Sequence, residues 1–162
     1  MKSVNLTVFF LVASLMISCS KDKDDVAVSD RAEALLGQWE YESIMTDHAV
    51  DINGDGISNI DLFNTQEIKQ CKKDDLTFFN QDGPSGKDEY LMTENALACE
   101  NNDPFSILEE DFYQLLDDNN TISFEKRNEM RIVELTNKKL VVETDNVINE
   151  QNIIITITYK RS

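Results

Sequence analysis

Histidine is nearly missing from this chain: His48 is the only one among 162 residues. Three cysteines accompany it, at 19, 71 and 99; with Cys19 taken up by lipid, as read below, the two that remain and one histidine are too few for a four-coordinate zinc site. Positive charge is scarce as well. Fifteen Lys and Arg face 31 Asp and Glu, a net charge of −16. Counterion release then works against nucleic-acid binding, and an anionic lipid surface repels such a domain. No Gly-x-Ser-x-Gly, no metal triad and no phosphate-cradling glycine loop occurs, which leaves only Asp and Glu for chemistry. With 31 acids, carboxylate pairs arise everywhere by chance. The chain is therefore read as a non-enzyme with no catalytic residue. Long apolar runs are also absent, except Val4 to Ile17, which is too short to span a bilayer.

That run has the length of a signal h-region, with Lys2 as a minimal positive n-region, and residues 1–18 are read as a signal peptide. It ends Leu15-Met16-Ile17-Ser18-Cys19, which resembles the lipobox of bacterial lipoproteins. The resemblance implies diacylation of the Cys19 thiol, which becomes the mature N-terminus; the alternative is an ordinary cleaved signal. Several acyl chains supply the stable anchoring that one cannot. Residues 19–29 form the lipidated Cys and an acidic tether, Ser20-Lys21-Asp22-Lys23-Asp24-Asp25, with nothing apolar to bury. The tether resembles the Lys/acidic export signal of Bacteroidetes-type lipoproteins. That implies the outer membrane, at the cell surface or otherwise facing the periplasm. With Cys19 lipidated, Cys71 and Cys99 stay as a pair in an oxidising compartment, either bridged or as two buried thiols.

One domain, 30–162, fits the length and the 41% apolar content. Asp30 to Leu36 reads as a short helix, with Asp30 and Glu33 as a capping box and Gly37 as the stop. From Trp39, the only tryptophan, to Met45 the chain alternates as a strand with Trp39, Tyr41, Ser43 and Met45 on one face. Leu76 to Phe79 and a stretch within Lys87 to Cys99 add strands. Ser106-Ile107-Leu108-Glu109 reads as a capping box opening a helix, and Phe112 to Leu116 either continues it or, in preference, forms the first arm of a hairpin turned at 117–120. Arms at Thr121–Lys126, Met130–Thr136, Lys139–Asp145 and Ile153–Lys160, rich in Ile, Val and Thr, make an antiparallel meander. Glu109-Glu110-Asp111 reads as a solvated acidic run.

Asp51-Ile52-Asn53-Gly54-Asp55-Gly56-Ile57-Ser58-Asn59-Ile60-Asp61 places oxygen side chains at positions 1, 3, 5, 9 and 11 of a candidate calcium loop. Gly56 supplies the sharp turn and Ile57 a backbone carbonyl. Leu62 stands where such loops carry a bidentate glutamate, so Asp61, Glu67 or water must close the set. Affinity would be weak, on the order of 10⁻⁴–10⁻³ M. The bland alternative is two Asx-Gly turns in a solvated loop.

The ordered set is similar to small lipocalin-family lipoproteins of Bacteroidetes. It comprises a lipobox Cys with an acidic tether, Leu35-Leu36-Gly37-Gln38-Trp39, the Asn53-Gly54-Asp55-Gly56 loop, Cys71-Lys72-Lys73-Asp74-Asp75, the Phe79–Gly83 turn and Cys99. The resemblance implies an all-β, antiparallel, up-and-down lipocalin-like barrel of about eight strands with a short N-terminal helix. It implies a barrel anchor of Gly37, Trp39 and a terminal basic residue, Arg161 or Lys160, packed over the tryptophan. A closed meander has no edges and can hold one small apolar ligand. Two functions follow as expectations: an outer-membrane-anchored module for a small hydrophobic ligand, or a structural lipoprotein with a solid barrel docking to a surface protein complex. Trp39, Phe78, Phe112, Tyr113 and Phe124 would line the pocket or fill it.

Overall fold

A computed structural model describes residues 25–99, 105–116 and 118–162. The signal peptide, Cys19 and the tether up to Asp24 lie outside the described residues. A 3-10 turn at Val28–Asp30 leads into α1 (Arg31–Leu35). Then follow β1 (Gly37–Val50), β2 (Asn59–Asp61), α2 (Gln70–Lys73), β3 (Leu76–Asn80), β4 (Asp88–Thr93), β5 (Ile107–Leu115), β6 (Thr121–Phe124), β7 (Met130–Leu135), β8 (Lys139–Ile148) and β9 (Gln151–Arg161).

Every pairing is antiparallel; β1 pairs with both β2 and β3, from β3 onward each strand pairs with the next in sequence, and β9 returns to pair with β1 from Trp39↔Arg161 to Thr46↔Ile155. The result is a closed eight-stranded barrel, with β2 taking over the edge of β1 where β3 leaves it. Closure leaves no long row of unpaired backbone groups. Short turns at 81–87, 118–120 and 136–138 gather at one end with the start of β1, the end of β9 and α1. The connections 51–75, 125–129 and 149–150 gather at the other, with the described parts of the β4–β5 connection, 94–99 and 105–106. We refer to these as the helix-capped end and the long-loop end.

The helix-capped end is sealed by a few side chains. α1 buries Leu35, whose carbonyl accepts the Trp39 indole N–H at 2.8 Å. Gly37 turns the chain at φ +116°, a left-handed value a side chain resists, and the Arg161 Nη1 would lie 2.9 Å from a Cβ there. The Arg161 guanidinium stacks 4.2 Å over the Trp39 ring. It also donates to the carbonyls of Leu36 (2.7 Å), Ala34 and Asn137, so one cation takes the last acceptors of α1. The capping box expected at Asp30 does not form: Asp30 sits in the αR region with no side-chain bond to the helix. Arg31 holds the segment instead, through Asp25 at 2.6 Å and Asn120.

Two corrections concern faces. The β1–β9 register shifts between Tyr41 and Ser43, a bulge at Glu42. Trp39 and Tyr41 point inward below it, but Ile44 and Thr46, not Ser43 and Met45, are the buried residues above it. Phe78 and Phe112 alternate outward, and Lys87 lies over the Phe112 ring, whereas Phe79, Tyr113 and Phe124 join the interior ring contacts. The segment Ile107–Leu115 is a strand throughout, with no helix opening at Ser106, and the final hairpin turns tightly at Asn149-Glu150, so both its arms run past the expected ends at Asp145 and Ile153.

Candidate binding site

The inward faces of β1, β3, β4, β5 and β9 build an aromatic interior. Tyr41 and Tyr159 stack at 5.0 Å, and Phe79 meets Tyr90 at 5.4 Å and Tyr113 at 5.2 Å, edge to face. Tyr90 meets Phe124 at 5.3 Å. Such geometries suit the ring quadrupoles. Into this wall comes a cation that the sequence reading left in a polar turn. Arg127, between β6 and β7, sets its guanidinium 4.5 Å from the Tyr90 ring centroid and 5.0 Å from that of Phe124. Its Nη1 lies 3.4 Å from Glu109 Oε1.

β5 explains why the cation is there. Residues 109, 111, 113 and 115 share one face of this strand, so Glu109 and Asp111 point the same way as Tyr113 and Leu115. Asp111 is 1% exposed, which corrects the expectation of a solvated run. Its carboxylate accepts the Phe112 N–H at 2.8 Å and the Lys126 N–H at 3.0 Å. The second bond pins the β6–β7 turn and so fixes the residue beside it. Two acids on an apolar strand face are the sequence signal that could have revealed an interior cation.

Several polar atoms here are buried without a hydrogen bond. Tyr90 Oη, Thr77 Oγ1 and Arg127 Nη1 each lack one, although Tyr90 and Thr77 are fully buried. Tyr90 nonetheless faces Thr77 and Arg127 as side-chain hydrogen-bonding neighbours, so the three are loosely paired with one another, and Arg127 Nη1 also faces Glu109. Burial pushes the phenols of Tyr41, Tyr90, Tyr113 and Tyr159 above the usual tyrosine value. Burial opposes the Arg127 charge, yet Tyr90 and Glu109 outweigh it and hold its pKa up. The outer side of Arg127, with Asn128, Asp145 and Asn152, lines an open depression of about 630 Å³. The described residues thus place an aromatic, hydroxyl-bearing interior behind one arginine.

The long-loop end carries the candidate calcium loop. Gly54 and Gly56 adopt φ +79° and +85°, and the Asp51 carboxylate accepts their N–H groups at 2.7 and 2.8 Å. Asn53 Oδ1 accepts the Asp55 N–H, and Asp55 Oδ1 accepts the Ile57 N–H, both at 2.8 Å. Asn59 donates to Glu67 at 2.8 Å and to the Ile57 carbonyl. Glu67, 5% exposed, also accepts the N–H of Ile52 at 2.7 Å, and these bonds hold its carboxyl below the usual range. Asp61 turns away to Phe63 and Asn64. Among the described residues no three Asp, Glu, His or Cys side chains gather as a metal cluster. Cys71 and Cys99 form a disulfide with Cα atoms 5.4 Å apart, tying α2 to the β4–β5 connection. Buried Glu94, which no motif flagged, orders the same connection by accepting Cys99 N–H at 2.7 Å and Ser106 Oγ at 3.1 Å.

No protein-family model matches the chain, and no curated protein matches it significantly. Among solved structures, the chain is similar to a deswapped triple mutant of bovine odorant-binding protein: 17% identity, 80% of this chain and 74% of that one, TM-score 0.44. It is also similar to the siderocalin Ex-FABP, which is described as having dual ligand specificities (9%, 80% and 71%, TM-score 0.47). A third likeness is to bovine odorant-binding protein in complex with a selenium-containing odorant (15%, 88% and 76%, TM-score 0.44). The fold assignment rests on the barrel's own topology: antiparallel, up-and-down, closed by β1 and β9, with a helix at one end.

Proposed function

We propose that this protein is a lipocalin-like binding module that takes a small hydrophobic ligand inside its barrel and performs no catalysis. The observation that carries the reading is the closed barrel with aromatic rings and hydroxyls on its inward face and Arg127 set against Tyr90 and Phe124. The deciding experiment is native mass spectrometry of protein purified gently from lysate. A retained small-molecule mass, lost on denaturation, is expected. Protein free of any such adduct would overturn the reading.

The proposal includes a lipid anchor at Cys19 in the outer membrane, with the domain at the cell surface. The lipobox-like Leu15–Cys19 and the acidic tether support it. Cys19→Ala is expected to move the protein from the membrane to the soluble fraction; unchanged partitioning would rule the anchor out. Loop 51–61 is proposed as a weak calcium site using Asp51, Asn53, Asp55 and the Ile57 carbonyl, with Glu67 swinging in to close it. The preformed turn at Gly54 and Gly56 supports that assignment. A second reading, docking to a surface protein, is favoured by apolar side chains exposed at the long-loop end: Ile57, Phe105, Ile107 and Val147. An empty barrel in the mass spectrum would turn attention to that face.

A further inference from the structure

We infer that the helix-capped end carries a second site, a crevice between α1 and the β4–β5 pair that takes an aliphatic primary ammonium. Asp88 is its counter-ion and the Tyr113 hydroxyl its second acceptor. The site stands apart from the barrel interior and goes beyond the binding reading above. A cavity of about 690 Å³ lies there, walled by Glu33 and Leu36 on the α1 side and by Asp88, Tyr113 and Leu115 on the strand side. Asp88 and Tyr113 are register partners across β4 and β5, so their side chains leave the sheet on the same face. A second depression, of about 480 Å³, is lined by both residues as well. Tyr113 is 7% exposed, and no described group hydrogen-bonds its hydroxyl. Burial first, and then the charge of Asp88, keep that phenol protonated. A carboxylate beside an unpaired phenol oxygen suits an occupant that donates to both.

The charge around the crevice has one sign. Asp30, Glu33 and Asp88 line it, and no lysine or arginine does. The cations of the flanking segments are committed elsewhere. Arg31 pairs with Asp25, and Lys87 pairs with Glu125 at 2.5 Å. Arg161 lies over the Trp39 ring and donates to the carbonyls of Leu36 and Ala34. Among the described residues Asp88 accepts one hydrogen bond, from the Asp82 N–H at 3.2 Å. An anion would be repelled here. A metal ion does not suit the crevice either: calcium asks for a full shell of oxygens, and among the described residues no three acidic side chains gather closely enough. An ammonium has three N–H donors and needs only one carboxylate and a further acceptor, while Leu36 and Leu115 offer its methylenes an apolar wall.

The test is a titration of the purified, nitrogen-15-labelled protein, followed by amide NMR shifts at neutral pH and low salt. The probes are hexylammonium, 1-hexanol and hexyltrimethylammonium, which carry charge and N–H donors, neither, and charge alone. Hexylammonium is expected to move the amides of α1 and those around Asp88 and Tyr113. It should bind about tenfold more tightly than either other probe, the selectivity of a charge-assisted hydrogen bond. Asp88→Asn and Tyr113→Phe, both close to isosteric, should each weaken it about fivefold or more while 1-hexanol is unaffected. If one variant does not fold by circular dichroism, the other decides. Equal binding of 1-hexanol would reduce the crevice to an apolar groove and overturn the inference. Equal binding of hexyltrimethylammonium would overturn it in favour of diffuse attraction to an acidic surface. Shifts confined to loop 51–61, or none at all, would overturn it too. None of these outcomes bears on a ligand retained inside the barrel in the mass spectrum, so the two readings fail separately.

Discussion

Arg127 and the tyrosines around it show what a single position can contribute and how little of that is visible in advance. The tryptophan anchor is legible because Gly37-Gln38-Trp39 marks a turn and a large side chain at a strand start. Arg127 is not, because Glu125 to Glu129 has the composition of any solvated turn. Only the pairing of Asp111 with the Lys126 N–H, 15 residues apart, brings it inward. The phenols give a prediction at this scale. Tyr41, Tyr90, Tyr113 and Tyr159 are held protonated in the fold by burial. The unfolded chain ionises them near pH 10. Below that pH both states keep their protons and the stability is intact. As pH rises past about 10 toward the raised folded values, the unfolded state alone loses protons and stability falls. Urea midpoints from pH 8 to 11.5 should drop steeply above pH 10, and Tyr41→Phe should reduce the slope. A flat profile would show the phenols to be solvated.

Elements were easier to read than the faces they present. Alternation and turn residues locate the strands of the last forty residues to within a few positions, since Ile, Val and Thr runs between polar pairs allow little else. The bulge at Glu42 escaped because its cause lies in β9, on the far side of the chain, where Tyr41↔Tyr159 is followed by Ser43↔Thr158. The β8–β9 turn offers an element-scale test. Asn149 and Glu150 both have positive φ, 50° and 67°, the conformation a two-residue hairpin favours and glutamate resists. Asn149 also donates to the Asp51 carbonyl at 3.1 Å and should be kept. Glu150→Gly is expected to stabilise the protein by about 0.5–1 kcal/mol, read as a higher urea midpoint with unchanged slope. A loss of stability would mean that the Glu150 side chain holds the turn.

At the scale of the molecule, an up-and-down meander closes on itself because each strand finds its neighbour in sequence, so topology follows once the strands are known. The path of 51–75 does not follow, since its order comes from Glu67 and the disulfide rather than from periodicity. Removing that disulfide, which closes a span of 28 residues, is expected to cost about 3–4 kcal/mol. Thermal melts with and without reductant measure it, and a shift below one degree would show that the two loops are held by packing alone.

The chain enters the barrel at its sealed end. Val26 donates to the Leu135 carbonyl at 2.7 Å, and the Asp25 carboxylate accepts the Leu135 N–H at 2.8 Å, beside the helix and the last residue of β7. Any grip on the N-terminal side, by acyl chains or by a coupling tag on a sensor chip, therefore pulls on the plugged floor of the vessel. A layer of such molecules would stand with rims upward, every turn carrying Arg127 free to meet solutes arriving from the bulk.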